Sequence, residues 1–297
     1  MESKNQARQE GDIRAGVRRH YGEMAAQFNP ESRTSCCPGG SSDVIPLTSL
    51  IYETEEVGSL PVDVTGLSAG CGDPVTLASL QPGETVLDLG SGGGIDCFLA
   101  AKQVGEKGFV IGVDMTAEMI EKARANKTRL SIENVEFRLG EIEHLPVADA
   151  TIDVIISNCV INLSPDKTQV MREAFRVLKP GGRIAISDIV SDGPLPGEIR
   201  DDLASWVGCI AGALDYRDYK AILADVGFVD VEIVPVTMQA VGSDAKEEKD
   251  ACCCEPKAGD GVEREAYFMI EGEESVLDLG DTSPPFSARI TARKHAA

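Results

Sequence analysis

The chain has 297 residues, 42% of them hydrophobic, enough to bury the core of one large domain or two small ones. Its formal net charge of -21 argues against partners held through phosphate contacts, because nucleic acids and anionic membranes both demand clustered Lys and Arg. The amino-terminal stretch MESKNQARQEGDIRAGVRRH lacks the apolar core of a secretion signal, and no apolar run approaches the roughly 20 residues of a membrane span, so a cytoplasmic protein is expected.

In chain order, residues 1–65 read as an irregular extension with one helical stretch near GDIRAGVRRHYGEMAAQF and a Gly/Ser/Pro break at CCPGGSSD. Residues 66–190 form the next unit, in which the pattern becomes regular from Thr85. The strand-length apolar runs TVLDLG, FVIGVDM, VEFRLG, TIDVIIS and RIAISDIV are separated by helical segments such as TAEMIEKARANKTRL and SPDKTQVMREAFRVL, whose apolar residues recur at spacings of three and four. Strands alternating with helices imply a Rossmann-like, doubly wound, mostly parallel α/β sheet. Ser164 and Pro165 are expected as the N-cap and first turn of the helix after TIDVIIS, which leaves Cys159 where that strand hands over to a loop. Residues 191–239 give two helical stretches, GEIRDDLASWVGCIAGAL and YRDYKAILADVG, and a strand, VDVEIVPV. Residues 240–297 hold a polar insert that reads as flexible, with the triplet Cys252, Cys253 and Cys254, and a terminal strand, FSARITARK.

The segment VLDLGSGGGIDC takes the first strand into a helix through glycines that let backbone amides approach a ligand. Gly90, Gly92 and Gly94 fall as G-x-G-x-G, with Ile95 where a dinucleotide fingerprint has its last glycine, which disfavours pyrophosphate. Asp114, at the end of the next strand, is placed to accept hydrogen bonds from ribose hydroxyls. Glu141 stands where it can accept from an adenine amino group, with Met115 packing on the ring. Together, VLDLGSGGG, GVDM, GEIEHLP and VLKPGGRIAISD resemble the class I S-adenosylmethionine-dependent methyltransferases. The resemblance implies Asp88 and the glycine loop beside the methionine moiety, Asp114 on ribose, Glu141 and Ile142 on adenine, and the Asn158 region closing the pocket.

What is methylated is argued from the nine cysteines. Methylation of oxygen or nitrogen calls for a base, and none is evident, since His20, His144 and His295 lie away from Cys159 in the pattern. Cys71, Cys159 and Cys209 precede, join and follow the sheet with neither zinc-knuckle nor C-x-x-C spacing, which suits soft ligands for a thiophilic centre. The stretches YGEMAA, SAGCGDP, LDLGSGGGIDCFLAAKQVGEKGFVIGVDMT, SNCVINLSPDK and WVGCIAGAL are similar to the arsenite methyltransferases. That resemblance implies Cys159 and Cys209 as arsenic ligands, Cys71 as a third, and Cys36 or Cys37 in redox recovery and binding. Cys37 is favoured because the family spaces this cysteine three residues after a threonine, here Thr34. It further implies S-adenosylmethionine as methyl donor, no catalytic metal ion, arsenite and methylarsenite as substrates in the form of thiol conjugates, and thioredoxin or a similar dithiol as reductant. Cys97 is expected as a packed small residue. The rival readings are a methyltransferase of a quinone-like metabolite and a non-catalytic metalloid-binding protein; the latter has no use for a nucleotide pocket.

Overall fold

A computed structural model of the chain describes residues 2–28, 60–67, 70, 72–236, 267–270, 273–276 and 285–296. Helix α1 spans Glu2–Gln27, and two short helices, α2 (Val62–Thr65) and α3 (Pro74–Ala78), precede the first strand. The order is then β1 (Thr85–Leu89), α4 (Ile95–Val104), β2 (Phe109–Asp114), α5 (Ala117–Leu130), β3 (Val135–Leu139), β4 (Ile152–Asn158), a 3-10 turn (Ile161–Leu163), α6 (Lys167–Val177) and β5 (Leu178–Ser191). Beyond it come α7 (Gly197–Asp201), α8 (Leu203–Val207), β6 (Leu214–Asp215), α9 (Tyr216–Val226), β7 (Phe228–Pro235), the hairpin β8 (Tyr267–Ile270) and β9 (Glu273–Val276), and β10 (Phe286–Lys294). None of the described helices is long and apolar enough to cross a membrane.

The main sheet runs β3-β2-β1-β4-β5-β10-β7, with β6 on the end of β5. Strands β3, β2, β1, β4 and β5 are mutually parallel, and β10 lies antiparallel between β5 and β7. The fold is therefore the Rossmann-like, doubly wound α/β architecture. The parallel strands are apolar on both faces because helices cover both. In β1, Leu87 and Leu89 join one core with Ile155, Ile186, Met171 and Leu223, while Val86 joins the opposite core with Val110, Ile156, Phe98 and Ile120. In β10, Ala288, Ile290 and Ala292 point inward at alternate positions, and Lys294 donates to Phe175 O at 2.6 Å and Leu178 O at 2.8 Å, satisfying carbonyls at the end of α6. The terminal strand thus belongs inside the main sheet.

Four local readings change. The amino-terminal helix is longer than its pattern suggested. It docks through Tyr21, Met24 and Ala25 against Leu67 and Met119, with Val17 buried one turn earlier against the cleft, a spacing of three to four that the sequence already carried. The stretch expected as one helix over GEIRDDLASWVGCIAGAL breaks into α7 and α8, because the Asp202 carboxylate caps a new start by accepting from Ser205 N at 2.8 Å. The hairpin β8–β9 was not anticipated. Finally, the cap of α6 is Asp166, not Ser164: its carboxylate accepts from Gln169 N at 2.9 Å, whereas the Ser164 hydroxyl donates to Glu143 Oε1 at 2.6 Å. Cys36, Cys37, Cys71 and Cys252, Cys253 and Cys254 lie outside the described residues. Replacing Asp166 by Ala is expected to lower the unfolding free energy by about 0.5–2 kcal/mol in urea denaturation; an unchanged midpoint would return the cap to Ser164.

Candidate active site

The chain enters the sheet at β1, steps outward to β3, and returns on the other side of β1 as β4. Consecutive loops diverge at that reversal, and a cleft with about 960 Å³ of empty space, mouth included, opens at the carboxyl ends of β1 and β4. The glycine loop forms its floor. Gly92 has φ 49°, and a Cβ there would meet no atom within 4 Å, so the backbone leaves room for a ligand. The loop is held from below: Gly90 N and Ser91 N donate to Val113 O, and Asn126 Nδ2 donates to Gly93 O. Ser91 Oγ is buried on the cleft wall without a hydrogen-bond partner among the described residues, which points to a polar ligand group.

Asp114 lines the cleft and accepts Gly92 N at 3.0 Å on one oxygen and Thr116 N at 2.8 Å on the other. Burial pushes its pKa above the usual carboxylate value, and these amide bonds oppose the shift. The Thr116 hydroxyl is a third donor to this carboxylate, which leaves acceptor capacity for a ligand hydroxyl on one oxygen. Met115, Ile142 and Asn158 also line the cleft, as does Gly90. Two of the expected cofactor residues do not. Asp88 is buried beneath the loop and accepts from the Cys97 thiol at 3.2 Å; burial, then the nearby Asp96 carboxylate, raise its pKa far above the ordinary range. Glu141 turns outward to pair with Arg18 at 2.7 Å, while Glu143 lines the cleft, held by Arg14 at 3.1 Å and by Ser164.

Of the expected thiols among the described residues, Cys159 lines the cleft, and Cys209 is buried beside it without lining the cleft. Cys159 follows β4 with φ 57°, and Cys209 follows α8 with φ 62°; a left-handed backbone is uncommon outside glycine and clusters at functional sites. Cys209 Sγ donates to Cys159 O at 2.8 Å, so two residues fifty positions apart meet. Cys209 is a free thiol, and Cys159 is disulfide-bonded with its partner outside the described residues. Asn158 donates to Gly72 O at 2.6 Å and accepts from Gly72 N at 3.2 Å, tying the residue that follows Cys71 to the residue that precedes Cys159. Cys97, in contrast, is fully buried within the sheet–helix core, as its position in α4 suggested.

Several neighbours gave no signal in the sequence. The Tyr21 hydroxyl, on α1, donates to Val207 O at 3.1 Å and lies beside Cys209. Lys167 is buried with Nζ donating to Ser164 O at 2.8 Å and lies 5.2 Å from the Trp206 ring centroid. Asp188 is buried on β5. Burial pushes its carboxyl up to about 7 against bonds from Ile189 N and Asn162 N, and burial likewise lowers Lys167 to about 8. Cys209 is held well above the ordinary thiol value by burial first and by Asp188 second, with Tyr21 and Lys167 opposing. In the absence of a soft cation it therefore keeps its proton. Among the described residues no three His, Cys, Asp or Glu side chains converge as a metal site.

Residues 80–227 match the family described as a methyltransferase domain, and the fold and cleft define a class I methyltransferase. The chain is 56% identical over 184 residues to an arsenite methyltransferase of Halobacterium salinarum, which covers 62% of this chain and 47% of that protein. It is 35% identical over 237 residues to the arsenite methyltransferase of Mus musculus, covering 77% of this chain and 61% of that protein. A crystal structure of an arsenic(III) S-adenosylmethionine methyltransferase from Chlamydomonas reinhardtii superposes with a TM-score of 0.59 at 34% identity, covering 82% of this chain and 73% of that one. The chain belongs to the arsenite methyltransferase family. It spans 47% and 61% of the lengths of these two curated relatives.

The buried Asp188 carboxyl has a measurable consequence. Its pKa rises from 3.8 to about 7 on folding, so the native protein holds a proton that the unfolded chain releases. The stability this group contributes is fully present below about pH 3.8 and is lost as pH climbs to about 7. Urea unfolding of Asp188→Asn and the parent between pH 4 and 7 should show the parent declining relative to the variant. Parallel curves would refute a raised Asp188.

Proposed function

We propose that the chain transfers a methyl group from S-adenosylmethionine to trivalent arsenic held by cysteine thiolates. The observation that carries this reading is the meeting of Cys209 with Cys159, a residue of the cleft wall, both with left-handed backbones. When bound, the cofactor supplies an electrophilic methyl group on a sulfonium. The residues of the cleft fit it: Asp114 has free acceptor capacity for ribose hydroxyls, Ser91 Oγ is unpartnered among the described residues, Gly92 leaves space, and Met115 and Ile142 offer apolar surface for adenine. Asp88 acts through the loop it underlies, and Glu141 through the outer rim where it pairs with Arg18.

Trivalent arsenic bound by thiolates keeps a lone pair, and that pair is the nucleophile. No proton has to leave the acceptor, so the protein's work is to aim the lone pair and exclude water. The thiolates are Cys159 and Cys209, with Cys71 as the third. The hydrogen bonds between Asn158 and Gly72 support that assignment because they bring the chain beside Cys71 to the same cleft wall. Binding displaces the thiol proton of Cys209, because the thiolate is the ligand.

Methyl transfer leaves arsenic formally pentavalent. Two electrons restore the trivalent state when two cysteines, Cys71 and Cys37 or Cys36, close a disulfide, and a dithiol such as thioredoxin reduces that disulfide in turn. Arsenite and methylarsenite, delivered as thiol conjugates by ligand exchange in a reducing cytoplasm, are the substrates.

The test is an assay of methylated arsenic species with purified protein, cofactor and thiols. Cys159→Ser should methylate neither arsenite nor methylarsenite, since every trivalent species needs two protein thiolates; near-normal turnover of either would return Cys159 to a packing role. Cys71→Ser should lose the first step selectively, because a methylated arsenical has one valence already filled. Equal inactivation toward both substrates would contradict the ligand count. Asp114→Ala removes a charge-assisted acceptor contributing about 1.5–3 kcal/mol, so calorimetry should find S-adenosylmethionine bound roughly tenfold or more weakly. An unchanged affinity would remove Asp114 from the site.

A further inference from the structure

One side chain ties the two cysteine loops together. Asn162, fully buried, sits on the 3-10 turn three residues after Cys159. Its Nδ2 donates to Cys209 O at 3.1 Å and to Ile189 O at 2.7 Å, so both amide hydrogens are spent on carbonyls of other segments. Its backbone N–H donates to the Asp188 carboxylate at 3.2 Å, and its carbonyl accepts from Lys167 Nζ at 3.4 Å. The amide cannot be turned over, because its oxygen would then face two carbonyls. The cost of this orientation is visible in Oδ1, which is buried without a partner among the described residues.

Cys209 is thereby gripped at two points by the segment that carries Cys159. Its sulfur is bonded to Cys159 O, and its carbonyl, on a left-handed backbone, is bonded to Asn162. Gly212 completes the arrangement: a Cβ there would run into the Asn162 carbonyl, so the turn after Cys209 approaches as closely as glycine permits. Two thiolates bind one thiophilic centre tightly only if the second is already in place when the first engages, since its effective concentration depends on positioning. We propose that Asn162 is the positioning residue that sets the spacing of Cys159 and Cys209 and makes them a two-toothed clamp. This rests on the arsenic reading above.

The experiment uses the 297-residue chain, phosphine-reduced, with Cys36, Cys37, Cys71, Cys252, Cys253 and Cys254 changed to Ser so that competing thiols are removed. The probe is phenylarsine oxide, whose arsenic takes two thiolates. Binding is followed by fluorescence of Trp206, the chain's single tryptophan, whose carbonyl accepts from Cys209 N at 3.0 Å. Asn162→Ala, Asn162→Asp and Gly212→Ala should each weaken phenylarsine oxide by roughly tenfold or more and cut the arsenic–sulfur coordination seen by X-ray absorption from two sulfurs toward one. S-adenosylmethionine affinity should stay within about twofold, because the glycine loop and Asp114 are untouched.

If the parent fails to bind the arsenical, the arsenic reading itself falls, and this inference with it. If the parent binds and folded variants bind equally well, only the positioning role of Asn162 is overturned. A parallel fall in arsenical and S-adenosylmethionine affinity would also overturn it, by marking Asn162 as a general structural residue. Should Asn162→Ala not fold, Gly212→Ala carries the test, since it displaces the same contact without removing the amide. Loss of the native circular dichroism in all three variants would make Asn162 a folding residue and end the proposal.

Discussion

The parallel pairing of β1 with β4, in which Val86, Leu87, Asp88 and Leu89 lie beside Val154, Ile155, Ile156 and Ser157, is the contact on which the rest of the molecule depends. Both strands are buried on both faces, so their register is set by two cores at once, and a slip of one residue would exchange the faces of every side chain. Because the chain reaches β4 only after stepping out to β3, the loops leaving β1 and β4 travel in opposite directions and cannot fill the space between them. The glycine loop belongs to β1 and Cys159 to β4. The same pairing therefore produces the cleft and puts its two chemical ends a strand's width apart.

The site is built from groups that water would otherwise screen. Asp88 lies beneath the glycine loop with Asp96 and Asp114 nearby on the cleft wall, and Gly92 N, Thr116 N, the Cys97 thiol and Asn158 Nδ2 donate to these carboxylates. On the cysteine side, Lys167 is the buried cation that faces Asp188, Cys209 and Glu143, and it is held by backbone carbonyls rather than by a carboxylate at contact distance. Among the described residues Lys167 is the only basic side chain that is buried. Helix α1 closes the remaining side through Arg14 on Glu143, Arg18 on Glu141 and Tyr21 on the Cys209 loop. The amino-terminal segment, which looked peripheral as sequence, is thus part of the wall.

Where local chemistry decides, the sequence was readable. The strands and the helices after them follow from apolar periodicity, and the glycine loop, Asp114 and Cys159 follow from their places at strand ends. Where two capping groups compete, it was not: Ser164 and Asp166 both suit a helix start, and the choice turned on Glu143, twenty-one residues away, claiming the serine hydroxyl. Glu141 and Glu143 are likewise equivalent as letters. Arg18 outside, and Arg14 with the Ser164 hydroxyl inside, separate the carboxylate that turns outward from the one that lines the cleft.

By itself, then, the sequence determined the alternating α/β order, the nucleotide-type loop and the thiol-rich character of the chain, because these are written in periodicity, glycine spacing and residue type within short windows. The tertiary structure alone decided that Cys209 meets Cys159, that Asn162 bridges their loops, that Asp188 and Lys167 lie buried behind them, and that α1 brings Tyr21 to the same place. Each of those contacts joins residues from different elements, and their geometry depends on how whole helices seat on the sheet. That seating is governed by the summed packing of two cores, which no local stretch of residues encodes.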